Sequence, residues 1–223
     1  MNDTTNSPTS FSRIGVDTPT GEMPVLIPRP QRTAEHGPFW PAVDLRRAPK
    51  IVVGEIPFTV TSFDEAVQWL LAPTRREGAR SIRLANAYCV AHASKDATYA
   101  DVLKSAGINL PDGTPVHWLM QRTARGTTLA PERVRGPSLF MEALAAKPTQ
   151  PVRHYFLGGT PETLDLVRAQ IELRFPDVQI AGMYAPPFGP ITPELVNDWA
   201  ARISASGATI VWLGLGTPKQ DFA

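Results

Sequence analysis

A chain of 223 residues, 43% hydrophobic and 19% charged, is long enough to bury one sizeable core and leaves room for a small second domain. Lys and Arg number 22 against 21 for Asp and Glu, so no global field draws the chain to nucleic acid and no such partner is expected. The single cysteine, Cys89, excludes an intramolecular disulfide and a cysteine zinc site, and no apolar run approaches the ~20 residues that a spanning helix requires.

The start, MNDTTNSPTSFSRIG, has neither a basic n-region nor an apolar h-region, and the chain reads as cytoplasmic. Residues 1–48 are rich in Ser, Thr and Pro and show no period of 2 or 3.6. They read as a flexible arm ahead of a folded domain over 49–223. Arg29, Arg32, Arg46, Arg47 and Lys50 fall in and just after its second half; they are either solvated or laid against an anionic membrane surface.

Order begins near Ile51, where Ile51 to Val53 and Ile56 to Val60 flank Gly54-Glu55 as two short strands around a tight turn. Pro57 argues for an edge position, because it cannot donate to a ladder. Ser62 and Glu65 have capping-box spacing, and Phe63, Ala66, Val67, Leu70 and Leu71 share one face of the helix that follows. A strand over Ser81 to Ala85 precedes one helical region from about Tyr88 to Ala106, with Gly107 as its stop.

The stretch Ile108-Asn109-Leu110-Pro111-Asp112-Gly113-Thr114-Pro115-Val116 organises the chain. A short strand stops at an acidic residue, Gly113 allows a turn, and Pro115 suits the first turn of a helix over Val116 to about Thr123. Asp112 is thereby presented at the carboxyl end of a strand, where open α/β sheets place their ligand crevices. It reads as a general base or as a turn and cap residue. A polar loop runs through Arg133, which either meets a phosphate or stays solvated, and Pro137 opens a helix carrying Leu139, Phe140, Ala143 and Leu144.

Val152 to Leu157 is a strand feeding Gly158-Gly159-Thr160-Pro161 and a helix with Leu164, Val167 and Ile171 on one side. Strand, glycine turn and helix N-terminus in succession expose backbone N–H groups to a phosphate, or simply make a tight turn. Val178 to Met183 is the next strand, Pro186 to Pro190 a stiff loop, and Thr192 caps a helix with Leu195, Val196, Trp199 and Ile203 facing inward. Ala208 to Leu213 is the last strand, followed by Gly214-Leu215-Gly216-Thr217-Pro218-Lys219-Gln220. Lys219 stands where the dinucleotide fingerprint has its third glycine, which weakens an NAD reading. The alternation predicts an α/β, Rossmann-like fold, a mostly parallel sheet with helices on both faces.

His36, His92, His117 and His154 lack metal-ligand spacing, His117 reads as a group on the helix after Asp112 that either packs or supports the residues of the site, and Cys89 as a small buried apolar residue. No Asp-x-Asp pair occurs, so no metal and no other cofactor are expected. A sugar-nucleotide enzyme with this sequence would use backbone amides and arginines to neutralise a leaving diphosphate.

Asn86 at a strand end, Asp112-Gly113, Glu132-Arg133-Val134-x-Gly136, Phe156-Leu157-Gly158-Gly159, the Pro186-Pro187-Phe188 loop and Gly214-Leu215-Gly216-x-Pro218-Lys219-Gln220 occur in a telling order. From about residue 50 to the end the chain resembles the WecG/TagA/CpsF glycosyltransferases. The resemblance implies a Rossmann-like enzyme that transfers a sugar, with inversion, from a UDP-sugar donor to a polyprenyl-diphosphate-linked saccharide. That acceptor places it on the inner face of the cytoplasmic membrane, in exopolysaccharide, capsule or cell-wall polymer synthesis. By the same resemblance Asp112 takes the acceptor proton, Asn86 orients a sugar, Arg133 holds phosphate charge and Gln220 lines the site. Gly113, Gly158, Gly159, Thr160, Gly214, Gly216, Pro218 and Lys219 are its substrate-binding positions.

Leu84 stands where the family often has Thr, and the family continues past the Pro-Lys-Gln motif with a strand, a nucleotide-contacting segment and a basic region. On that resemblance the chain is expected to be C-terminally incomplete, and an uncovered sheet edge would favour a homo-oligomer. A nucleotide- or sugar-phosphate-binding module without catalysis is the rival reading. A methyltransferase has only Gly214-x-Gly216 in its support.

Overall fold

Gly54, at φ 63, turns strand β1 (Lys50–Val53) back onto β2 (Ile56–Thr59) in antiparallel register, Lys50 opposite Thr59. β2 pairs with β1 alone among the described strands, the edge position that Pro57 requires. The structure is a computed structural model describing residues 44–72, 79–148 and 150–223. The proposed arm therefore lies almost wholly outside the described residues, Arg29 and Arg32 included. Just ahead of β1, Leu45 is fully buried in a cluster to which Ala48 also packs. Arg46 is tied to Asp44 at 2.9 Å, and this hydrogen bond holds the Asp44 carboxyl down at about 2.

Helix α1 (Phe63–Leu71) starts with the expected capping box: Ser62 Oγ accepts from Glu65 N–H at 3.2 Å, and Ser62 N–H donates to Glu65 Oε2 at 2.8 Å. Its buried stripe is wider than the expected one, because Trp69 is buried as well and the Arg80 guanidinium lies 4.6 Å from its ring centre.

β3 (Ile82–Ala85) and β4 (Ile108–Pro111) pair in parallel, with Ala85 opposite Pro111. The single helical region expected between them is two helices, α2 (Ala87–Ala93) and α3 (Ala97–Lys104). The Asp96 carboxylate accepts from Tyr99 N–H at 3.1 Å and so starts a new helix. The break lets Cys89 and Ala93 from one helix, and Tyr99, Ala100 and Leu103 from the other, enter the same core cluster. Cys89 is thus the buried apolar residue expected of it. On the opposite face of this ladder, Ile82, Leu84, Ile108 and Leu110 pack with α1.

Helices α4 (Thr114–Ala124) and α5 (Gly136–Ala145) lead to a second parallel ladder in the order β6 (Gln179–Tyr184), β5 (Arg153–Gly158), β7 (Ile210–Gly214). β5 is sandwiched between helices. Phe156 packs with α5 and with Leu164, Val167 and Ile171 of α6 (Pro161–Arg174), while Tyr155 and Leu157 pack with Leu195, Val196, Trp199 and Ile203 of α7 (Pro193–Ser206). Parallel strands with helices on both faces make this a Rossmann-like α/β fold. No helix among the described residues is long and apolar enough to cross a membrane.

His154 lies 2% exposed in β5, its Nδ1 accepting from Trp212 Nε1–H at 3.1 Å. Burial pushes its pKa down from 6.5 to about 4, so the imidazole is held neutral. As pH falls from 6.5 towards 4, the unfolded chain takes up a proton that the folded chain refuses, and stability on the order of 3 kcal/mol is lost across that window. His154→Asn keeps an acceptor for Trp212 and does not titrate. Denaturant midpoints should therefore fall less steeply with pH in the variant than in the wild type, and parallel slopes would show that His154 is not the buried group responsible.

Candidate active site

Asp112 stands at the carboxyl end of the first parallel ladder, its N–H donating to Ala85 C=O at 3.0 Å, so that it lies beside Asn86 at the end of β3. Gly113, at φ 94, makes the turn into α4. A Cβ on Gly136 would stand 3.6 Å from Asp112 Oδ2, so the N-terminus of α5 lies against the carboxylate. The starts of α4 and α5 are alike: each has a proline in its first turn, no acidic residue there and no side-chain cap. By contrast α1, α2, α3, α6 and α7 are capped by Ser62, Asn86, Asp96, Thr160 and Thr192. Two helix ends, each carrying roughly half a positive charge, thus flank Asp112 with first-turn amides that no capping side chain meets. Asp112 caps neither, and among the described residues its carboxylate accepts no hydrogen bond.

The loop after α4 is pinned back along the strand ends. Glu132 N–H donates to Thr61 C=O at 3.1 Å, Glu132 Oε2 accepts from Phe63 N–H at 2.9 Å, and Val134 N–H donates to Pro111 C=O at 3.0 Å. Val134 is fully buried, so it anchors the loop while Arg133 beside it stays exposed. Arg133 Nη1 donates to Thr114 Oγ1 at 3.1 Å, which holds the guanidinium at the start of α4. Asn86 spends its Oδ1 on capping α2, accepting from Tyr88 and Cys89 N–H at 2.9 and 3.3 Å. Its amide N–H groups have no hydrogen-bond partner among the described residues. His117 Nε2 meets Pro131 C=O at 3.1 Å, a contact between α4 and the loop that carries Arg133.

The glycine turns form a second group at the carboxyl end of the other ladder, where Gly158 is opposite Gly214. A Cβ on Gly158 would overlap the Gly214 carbonyl, so strand packing by itself requires this glycine. Gly159, at φ 74, faces only ordinary contact with Thr163 at 3.5 Å, and Gly216, at φ 80, faces open space. Thr160 Oγ1 accepts from Thr163 N–H at 3.2 Å. The Glu162 carboxylate accepts from its own backbone N–H and from the Thr160 hydroxyl, which holds it below the usual carboxylate range. Glu162 lies in the first turn of α6, where a carboxylate complements the helix dipole.

Lys219 Nζ donates to Gly189 C=O at 3.0 Å, with the ammonium 4.9 Å from the Phe188 ring centre. It ties the proline-rich loop to the C-terminal turn. Pro218 leads into a short 3₁₀ turn over Lys219–Asp221, where Gln220 N–H donates to Gly216 C=O at 3.0 Å. Asp221 Oδ2 accepts from the buried Tyr99 hydroxyl at 2.8 Å, drawing that turn onto α3. Burial raises the Asp221 carboxyl and the Tyr99 phenol, and the hydrogen bond between them raises Tyr99 further.

Thr114, Gly136 and Asp221 were not among the expected site residues. Gly113-Thr114-Pro115 and Gly136-Pro137 did carry a signal, a proline in the first turn with no capping residue before it. Asp221 carried none, since its partner Tyr99 is remote in sequence. Among the described residues no group of three His, Cys, Asp or Glu side chains could hold a metal ion.

A family model described as Glycosyl transferase WecG/TagA/CpsF family matches residues 51–223.

The two glycines of the Gly158-Gly159 turn should separate in stability measurements. Gly159→Ala is strained by its backbone conformation only, about 1–2 kcal/mol, whereas Gly158→Ala also drives a methyl group into the Gly214 carbonyl. Urea unfolding should show the larger loss at Gly158; equal losses would mean that β5 and β7 separate at little cost.

Proposed function

The chain belongs to the WecG/TagA/CpsF glycosyltransferase family, and on that premise we propose that it moves a sugar, with inversion, from a UDP-sugar to a polyprenyl-diphosphate-linked saccharide. Membership makes it a glycosyltransferase of cell-envelope polymer synthesis. The donor, acceptor and stereochemistry are our reading. So is the inner face of the cytoplasmic membrane as its place of work.

The observation that carries this reading is the setting of Asp112: a carboxylate without a hydrogen-bond partner among the described residues, at a strand end, beside Asn86 and between two uncapped helix N-termini. In the proposed reaction the acceptor hydroxyl gives its proton to Asp112 as its oxygen bonds to the anomeric carbon. The bond from that carbon to the diphosphate breaks on the opposite face, and UDP leaves with the electron pair. Negative charge develops on the leaving diphosphate, and the first-turn amides of α4 and α5 together with Arg133 are fixed in place to receive it. Asn86 donates to a sugar hydroxyl through the amide group its cap leaves over. The turns at Gly158, Gly159, Thr160, Gly214 and Gly216 face the nucleotide, and Gln220 closes that side. Lys219 acts at one remove, through the loop it holds.

Asp112→Asn keeps the side-chain shape and removes the base. Turnover, read as UDP released in the presence of a lipid-diphosphate acceptor, should fall by about 10² to 10⁴, with UDP affinity by calorimetry nearly unchanged. Turnover close to wild type in a folded, UDP-binding variant would end the assignment. UDP binding with no acceptor-dependent turnover in the wild type would favour a non-catalytic binding module. Since the charge on the leaving group is assigned to amides and arginine, EDTA should leave turnover unaltered, and a strict metal requirement would overturn that assignment.

A further inference from the structure

α4 turns an apolar and basic face outward beside the site. Val116, Met120 and Ala124 bury its inner stripe, while on the other side Trp118 and Leu119 are 53% and 40% exposed. Arg122 and Arg125 are also exposed, one and two turns further along, and the Arg122 guanidinium lies 5.9 Å from the Trp118 ring centre. From Thr114 to Arg135 the chain carries Arg122, Arg125, Arg133 and Arg135 against a single acidic residue, Glu132, and that carboxylate is spent on the first amide of α1. The protein as a whole is almost neutral, so this is a local concentration of charge. The exposed leucines of α6, Leu166 and Leu173, make the contrast, because Glu162, Asp165 and Glu172 accompany Arg168 and Arg174 on that helix.

We propose that the outer face of α4 docks on an anionic bilayer surface, with Trp118 and Leu119 entering the interface and Arg122 and Arg125 meeting lipid phosphates. Tryptophan, with its amphipathic ring, favours the headgroup level, and arginine stems lie along apolar surface while their heads reach anions. α4 is about 16 Å long and begins immediately after Asp112. Docking this helix therefore sets the candidate base close to the headgroups, where a lipid-linked diphosphate acceptor sits; this consequence rests on the proposed function, whereas the docking does not.

Co-sedimentation of the full chain with phosphatidylglycerol-containing vesicles, against phosphatidylcholine vesicles and raised salt, tests it. Each arginine near an anionic surface contributes a factor of about five, so Arg122→Gln with Arg125→Gln should lower partitioning roughly twenty-five-fold on the anionic vesicles alone. Trp118→Ser with Leu119→Ser should lower it on both kinds of vesicle, and Leu166→Ser with Leu173→Ser should not change it. Wild-type partitioning by both α4 variants, or no wild-type binding, overturns the proposal. A wild-type dimer in sedimentation equilibrium that Trp118→Ser with Leu119→Ser dissociates would instead make this face a contact between copies. α4-dependent binding without turnover removes the transferase reading and leaves the surface standing; turnover on a short-chain, detergent-dispersed acceptor without vesicle binding does the reverse.

Discussion

The hydrogen bond from Val134 N–H to Pro111 C=O, 3.0 Å long, is the constraint on which the site depends. It ties the end of β4 to a loop that has wandered away since the end of α4, and the burial of Val134 removes the loop's freedom to swing. Everything on either side of Val134 is then located. Arg133 is brought to Thr114, and α5 starts at Gly136, where an added Cβ would stand in ordinary contact with the Asp112 carboxylate. Ordering a loop of this length costs conformational entropy. Its hydrogen bonds to Thr61, Phe63 and Pro111 offset part of that cost and leave Arg133 unburied.

α5 carries the constraint onward. Leu139 packs in the cluster over β3 and β4, whereas Phe140 stands edge-on to Phe156 and Trp212 at 6.1 and 4.9 Å in the cluster over β5. One helix therefore has its N-terminus at Asp112 and its body against both parallel ladders. The C-terminal turn makes the return connection, since Asp221 reaches across to Tyr99 on α3 and Arg83 of β3 attracts the same carboxylate. Strand ends that are separate in their hydrogen-bond ladders are thus linked by side chains.

The helix ends are divided in a way that bears on chemistry. Where a Ser, Thr, Asn or Asp caps the first turn, the amides are satisfied within the protein and offer a ligand little. α6 and α7 each also carry a glutamate in the first turn, Glu162 and Glu194, whose carboxyls are held below the usual range. The uncapped starts of α4 and α5 lie together at Asp112, which concentrates positive electrostatic potential at one point of the crevice.

Much of this was determined by the sequence alone, because it depends on neighbours in the chain. The capping box of α1, the turn at Gly54, the alternation of strand and helix and the placing of Asp112 at a strand end all follow from spacings of a few residues. The tertiary structure decided what depends on contacts between distant segments. Asp96 as the start of a new helix was legible in principle as a cap residue, but only packing of Tyr99 and Cys89 into one cluster makes the break favourable. That Gly158 serves strand packing follows from Gly214 lying opposite it, and that Lys219 serves the Phe188 loop follows from a bond spanning thirty residues of chain. The meeting of two helix N-termini at one carboxylate was hidden for the same reason: a helix end declares its direction in sequence, but the point it is aimed at exists only once the loop has been pinned.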